Sequence, residues 1–193
     1  MTTTIKAVEA SFDTLSRYSE VPISFLVESV FRVEPEEKGL AGITLREEKI
    51  ARPYVKDYDA ARGEGPTRWL KRFDMSGWGI LMAFIEDRHV GGAIVVLGGS
   101  IDNLDKRFAQ LFDIRIHPDM RRRGTGASLL QHVADWARQY GCEQLKIETQ
   151  NTNVPACRFY AGQDCELWHI ERYAYIGYPE SEHETRLVWY LKL

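Results

Sequence analysis

The chain has 193 residues, of which 44% are hydrophobic and 27% charged, with a formal net charge of −3. That length buries a substantial core without disulfides or metals and predicts one domain over residues 1–193, and the composition excludes a disordered or low-complexity chain. The acidic balance excludes a general affinity for nucleic acid, so any anion site must be local.

The opening "MTTTIKAVEASFDT" has no basic region followed by an apolar stretch, and no run elsewhere is long enough to span a bilayer. A cytoplasmic protein without a membrane partner is expected. Cys142, Cys157 and Cys165 are too few and too irregularly spaced for a disulfide framework or a zinc site, which predicts reduced, packed thiols and no metal.

"FLVESVFRVEP" and "GITLREEKIA" show part-alternating apolar positions and predict two strands, with Val27, Phe31 and Val33 on one side. "DAARGEGPT" (Asp59 to Thr67) reads as a loop and "TRWLKRF" as a short helix. "WGILMAFIEDRHVGGAIVVLGG" holds two β-rich runs joined through "EDRHVGG", the composition of a hairpin. "AQLFDIRIHP" predicts a strand stopped by Pro118, which cannot donate to a ladder. From Gly124 to Tyr140, Leu129, Leu130, Val133, Trp136 and Ala137 recur three or four apart, predicting a helix with one buried face that Gly141 ends. "EQLKIETQ" reads as a strand, "VPACRFYAG" as a short helix starting near Pro155, and "CELWHIERYAYI" and "ETRLVWYLKL" as two late strands. The order predicts an α/β protein with a mixed, mostly antiparallel central sheet flanked by helices.

The run "HPDMRRRGTGASLLQHVADWA" sets three arginines and two glycines at the start of the longest predicted helix. The first N–H groups of a helix lack intrahelical partners, and the macrodipole adds roughly half a positive charge there. Gly124 and Gly126 let an anion approach the backbone, and Arg121, Arg122 and Arg123 add side-chain charge, with Thr125 between the glycines. A Walker-type loop is excluded by the absent Lys-Ser/Thr pair, and a dinucleotide fingerprint by leucine at position 129. The readings left open are a coenzyme A diphosphate site and a solvated surface cluster.

Arg121-x-x-Gly124-x-Gly126 after a strand ending in "IHP" resembles the acetyl-CoA motif of the GCN5-related N-acetyltransferase (GNAT) superfamily. Some 27 residues beyond the glycines, "NVPACRFY" is similar to that superfamily's Asn-x-x-Ala-x-x-Phe-Tyr helix. Within it, "ETQNTNVPAC", "FYAG" and "HETRLVWY", with "FLVESVF" and "PYVKDYD" upstream, resemble the streptothricin acetyltransferases. Two departures stand out: "QDCELW" replaces the family's Gly-Phe after the tyrosine helix, and Phe112 stands where a glutamate is usual.

The resemblance implies a GNAT fold whose fourth and fifth strands, here "AQLFDIRIHP" and "EQLKIETQ", splay apart around pantetheine. It implies acetyl-CoA as cosubstrate, bound by the backbone of Ile114 and Ile116, by residues 121–126 and by Asn153, with Tyr160 beside the acetyl sulfur as the acid for the departing thiolate. It further implies an amine acceptor such as streptothricin, with another amine (an aminoglycoside, a polyamine, a protein N-terminus) as the alternative and a non-catalytic acyl-CoA-binding module as the rival of another class. A homodimer is left open.

The residues add a chemical requirement of their own. An alkyl ammonium has a pKa of roughly 10.4, so almost none is nucleophilic at neutral pH and a carboxylate or water chain must take the proton. Asp113, Glu148, Glu171 and Glu184 are the candidates, with Glu148 favoured as base or ammonium contact because it closes the strand beside the second motif. Asp57 and Asp59 beside Tyr54 and Tyr58 offer carboxylates and aromatic faces to a cation, and Asp57 is assigned to the acceptor. Trp168, Tyr173, Tyr175, Trp189 and Tyr190 divide between an acceptor cleft and the core.

Overall fold

The computed structural model describes residues 3–60, 65–99 and 105–193. The segment 61–64 of the expected Asp59–Thr67 loop lies outside the described residues. Among the described residues, nine strands and four α-helices follow in the order β1 (Thr3–Val8), α1 (Phe12–Ser19), β2 (Phe25–Glu36), β3 (Gly42–Lys56), α2 (Trp69–Arg72), β4 (Gly79–Ile85), β5 (Arg88–Leu97), β6 (Phe108–Ile116), α3 (Thr125–Gln139), β7 (Gln144–Gln150), α4 (Val154–Ala161), β8 (Glu166–Glu171) and β9 (Arg186–Lys192). The main sheet runs β1-β4-β5-β6-β7-β9-β8, and β2 and β3 form a separate two-stranded ribbon.

The chain forms two compact units. The first comprises Met1–Ser24, Asp57–Ile147 and Tyr190–Leu193. Its pairings β1/β4, β4/β5 and β5/β6 are antiparallel, and β6/β7 is parallel. The run "GILMAF" of β4 is buried throughout, as expected of a strand covered on both faces. Successive residues of a strand face opposite ways, so Gly91 backs onto Leu129 of α3 while Gly92 backs onto Tyr18 of α1. The two helices therefore cover opposite faces. On the α1 face, Leu15, Tyr18, Trp69, Trp78, Ile80, Met82, Ile94 and Val96 make one apolar cluster. On the other face α3 buries Leu129, Leu130, Val133, Ala134 and Ala137, the periodic set expected from its sequence.

The second unit comprises Phe25–Lys56 and Glu148–Trp189. Its ribbon pairs Phe25 with Lys56 at one end and Glu36 with Gly42 at the other, with a register shift between Val27 and Ser29. That irregularity breaks the simple alternation expected from the sequence: Val30 is buried together with Val27, while Phe31 and Val33 are half-buried. Asn151 ties the ribbon to the approach to β9. It exchanges backbone hydrogen bonds with Phe31 and Thr185, and its side chain donates to the Phe31 carbonyl (3.0 Å) and accepts from the Thr185 N–H (2.8 Å).

β1 and α1 are additional to the elements expected from sequence. Ser11 caps α1 by accepting from the Thr14 N–H at 3.0 Å, a short signal within an eight-residue helix. The expected strand "CELWHIERYAYI" stops at Glu171, after which residues 172–178 turn through Tyr173–Ile176 and Tyr175–Tyr178 backbone bonds.

Gly92 marks the closest approach of α1 to the sheet. A Cβ there would lie 2.4 Å from Tyr18 Cε2 and 2.9 Å from the Leu81 carbonyl oxygen. Tyr18 cannot yield, being fully buried and held by its hydroxyl at Asp113, 2.6 Å away. Gly92→Ala is expected to cost about 1–3 kcal/mol, read as a fall of several degrees in Tm by calorimetry.

Candidate active site

In the first unit, β6 pairs with β7 over only four positions, Phe108↔Gln144 to Leu111↔Ile147. It continues along β5 as far as Gly91↔Ile116. From Phe112 to Ile116, then, one edge of β6 is occupied by β5 and the other lies beyond the β7 ladder. The register slips between Ile94 and Val95, where Phe112 is the extra residue. Its ring packs against Trp69 and Trp78 at centroid distances of 5.1 and 4.9 Å. The position where a glutamate is usual is thus apolar core.

After β6, Pro118–Met120 make one 3-10 turn and the chain enters α3 through left-handed conformations at Arg122 (φ +61°) and Gly124 (φ +87°). Glycine adopts that backbone without strain and serves as the N-cap. The three arginines are not equivalent. All three are exposed, but Arg121 donates to two backbone carbonyls, Ile116 and Ser24, each at 3.0 Å. The Thr125 side chain is buried, 3.5 Å from the Thr3 hydroxyl, so this residue can offer an anion only its backbone N–H.

One residue between Ile114 and Ile116, the Arg115 side chain is fully buried and all five of its N–H groups are used. They reach Asp113 (Nε to Oδ1 2.9 Å, Nη2 to Oδ2 2.8 Å), Asp59 (Nη1 to Oδ2 2.7 Å, Nη2 to Oδ1 3.1 Å) and the Val21 carbonyl (3.2 Å). Tyr18 stacks its ring 4.8 Å from the guanidinium and donates its hydroxyl to Asp113. Burial, then the Asp113 charge, raises the Tyr18 pKa well above the ordinary tyrosine value. Burial opposes the charge on Arg115, but Asp113 outweighs it and holds the guanidinium ionised. Asp113 and Asp59 are therefore committed to Arg115. Asp57 is exposed and accepts the Asp59 N–H at 3.0 Å.

In the second unit, Glu148 and Gln150 share a face of β7, and Tyr175 bridges them: Gln150 donates to its hydroxyl at 2.8 Å, and the hydroxyl donates to Glu148 at 3.0 Å. Arg186 lies 3.6 Å from Glu148 and pairs with Glu171, so one guanidinium serves two carboxylates. Glu184, 1% exposed, accepts from Lys56 (2.6 Å) and from Thr152 (3.2 Å). Burial outweighs the pull of Glu184 and lowers the Lys56 pKa. Of the four acids weighed as proton acceptors, Asp113 and Glu184 are buried in ion pairs and Glu171 is bound to Arg186, which leaves Glu148 half-buried with a hydroxyl on one oxygen.

Asn153 caps α4, its side-chain oxygen accepting from the Ala156 N–H at 3.2 Å. Tyr160, near the end of that helix, is buried with its ring centroid 6.5 Å from that of Trp189. Trp189 is buried, while Trp168 and Tyr173 are 74% and 66% exposed. Sequence reasoning missed Arg115, Arg186 and Lys56. The available signal was the Asp113-x-Arg115 spacing, which puts both charges on one face of a strand. Among the described residues no cluster of three or more His, Cys, Asp or Glu is arranged to hold a metal ion. No helix among them is long and apolar enough to cross a membrane.

The Acetyltransferase (GNAT) family matches residues 45–164. Streptothricin acetyltransferase A of Bacillus subtilis (strain 168) is 26% identical over 149 residues, covering 77% of this chain and 79% of that protein. Streptothricin acetyltransferase of Escherichia coli is 27% identical over 166 residues, 86% of this chain and 84% of that one. A crystal structure from Bacillus anthracis, assigned to the streptothricin acetyltransferases and solved with acetyl coenzyme A, superposes with a TM-score of 0.78 at 20% identity over 100% of both chains.

The three free cysteines are all buried. Burial pushes the Cys157 thiol up to about 12, and burial with the Asp164 charge pushes Cys165 up to about 11. Since the thiolate is the nucleophile, the native protein is expected to react only slowly with iodoacetamide at pH 8 and all three thiols rapidly in denaturant. Stoichiometric labelling of the native protein, read by mass spectrometry, would contradict this packing.

Proposed function

Because the chain belongs to the Acetyltransferase (GNAT) family, we propose that it transfers the acetyl group of acetyl-CoA to a primary amine of a small cationic acceptor of the streptothricin type. The observation that carries the donor half is the path of β6, which runs on from Phe112 to Ile116 past the end of its ladder with β7 and leads through residues 121–126 into the start of α3. The acceptor half is supported by the two streptothricin acetyltransferases, which resemble this chain over most of its length.

In the reaction the amine nitrogen forms a bond to the thioester carbonyl carbon, the C–S bond breaks, the amine loses a proton and coenzyme A leaves as its thiol. The stretch of β6 beyond its β7 ladder, at Ile114 and Ile116, suits strand-like pairing with the amides of pantetheine. Arg121 already holds the Ile116 carbonyl, which leaves the Ile114 groups and the Ile116 N–H for that pairing. The backbone N–H groups of Gly124, Thr125 and Gly126, with Arg122 and Arg123, are assigned to the diphosphate. Arg121 acts on the same loop from behind, by bracing its backbone. Asn153 is assigned to the pantetheine arm in addition to its capping bond, and Tyr160 to protonation of the departing thiolate. Glu148 takes the ammonium or its proton, and Asp57 contacts a cationic group of the acceptor. Residues 1–193 act as one N-acetyltransferase domain in this reading, and the cytoplasm, where acetyl-CoA and reduced thiols are found, is its setting.

The test is acetyl-CoA-dependent thiol release against streptothricin, aminoglycosides, polyamines and short peptides. Release with streptothricin is expected; release with another amine alone moves the acceptor, and binding of coenzyme A with no turnover of any amine supports the acyl-CoA-binding module. Tyr160→Phe is expected to lower kcat by about 100-fold with little change in the acetyl-CoA KM. Glu148→Gln is expected to alter turnover across pH 6 to 9, and an unchanged profile removes Glu148 from the chemistry. Arg122→Ala and Arg123→Ala should each raise the coenzyme A Kd by roughly tenfold, an effect that shrinks as salt is added.

A further inference from the structure

The turn that carries Asp57 is tied to the strand assigned to acetyl-CoA through the side chain of Arg115. Asp57 accepts the N–H of Asp59, which fixes its carboxylate relative to the turn. The Asp59 carboxylate in turn sits in the two-toothed fork of Arg115, both of its oxygens bonded at 2.7 and 3.1 Å. Arg115 has no freedom to swing, since Asp113, the Val21 carbonyl and the Tyr18 ring hold the rest of the guanidinium.

A buried ion network adds little stability over apolar side chains of the same volume; what a planar, fully bonded guanidinium supplies is direction. Its charge is also outnumbered: one guanidinium faces two carboxylates, and Asp59 is 26% exposed. The exposed Asp57 adds a further negative charge at the same turn, the sign that a cationic acceptor requires.

We propose that Arg115 and Asp59 are positioning residues that set the affinity for the amine acceptor by holding Asp57, while the backbone beside Arg115 serves the acetyl donor. The proposal rests on the reading of Asp57 as an acceptor contact. Its signature is selective: loosening the Asp59 fork weakens the hold on the amine and leaves the hold on acetyl-CoA intact. A merely structural role would disturb both.

The experiment measures the streptothricin KM at saturating acetyl-CoA, and the acetyl-CoA KM at saturating streptothricin, for the full chain and for Asp59→Asn, Asp57→Asn and the double variant, with melting curves for each. Asp59→Asn is expected to raise the streptothricin KM roughly tenfold with the acetyl-CoA KM within about twofold. The double variant should be no worse than Asp57→Asn alone, because Asp59 works through Asp57. If Asp59→Asn does not fold, Asp59→Glu, which keeps the charge but displaces the turn by one methylene, gives the same selective readout. The proposal is overturned if a folded Asp59 variant leaves the streptothricin KM unchanged or raises both KM values, or if the two single effects multiply in the double variant. Asp57→Asn separates the two layers: a raised streptothricin KM there with none in the Asp59 variant defeats the positioning role alone. An unchanged KM in Asp57→Asn defeats the acceptor reading of Asp57 and this inference with it.

Discussion

The five-bonded guanidinium of Arg115 is the constraint around which the first unit is assembled. A fully buried arginine is expensive to desolvate, and it is tolerated only where every N–H finds an acceptor. Meeting that demand fixes three elements that are far apart in sequence: the end of α1 through Val21 and Tyr18, the turn at Asp59, and β6 through Asp113. Gly92 follows from the same demand. Tyr18 has to lie flat over the sheet to reach both Asp113 and the guanidinium, and only a residue without a Cβ leaves room beneath its ring.

The second unit solves a similar problem with neutral and charged centres. Asn151 bonds through both its backbone and its side chain, joining the ribbon to the residues before β9 without an unpaired polar group. Glu184 and Lys56 pair in a buried setting where either charge alone would be costly. These pairings have a chemical consequence. A carboxylate already bonded to a guanidinium or an ammonium is a poor proton acceptor, because taking a proton would strand its partner's charge. The acids available for chemistry are fewer than the sequence suggests, and Glu148, held by a hydroxyl and a distant, shared guanidinium, is the one least committed.

What could be read in advance divides by the range of the physics involved. The hairpin at residues 86–87, the amphipathic face of α3, its glycine entry and the proline-led α4 all follow from interactions within a few residues, and the sequence shows them directly. The same holds for the glycine and asparagine-tyrosine motifs, whose spacing is set by a single loop or helix. β1 and α1 escaped because one is a six-residue strand with exposed residues and the other a two-turn helix, too short for periodicity to declare itself. Asp59 reads as a solvated acid until its partner 56 residues away is known, and Glu184 reads as a candidate base until Lys56 is found beside it. Charge pairing across such separations leaves no local pattern.

The arginine run shows how a local signal can hide different roles for neighbouring residues. Three consecutive positive charges at a helix start suggest three equivalent anion ligands. Arg121 instead turns back and spends its donors on the carbonyls of Ile116 and Ser24, bracing the loop between β6 and α3. With Arg122 in a left-handed conformation and Gly124 in another, the chain needs such a brace to leave the strand and begin the helix within eight residues. In the proposed reading the pull on an anion falls to Arg122, Arg123 and the backbone N–H groups of the first turn. Those backbone donors are fixed by the fold and would need no ordering to meet a diphosphate, whereas two exposed arginines would have to be immobilised to help. On the proposed reading, a slightly acidic protein would need few cations to hold a polyanion, because one of them, Arg121, braces the backbone that supplies the other donors.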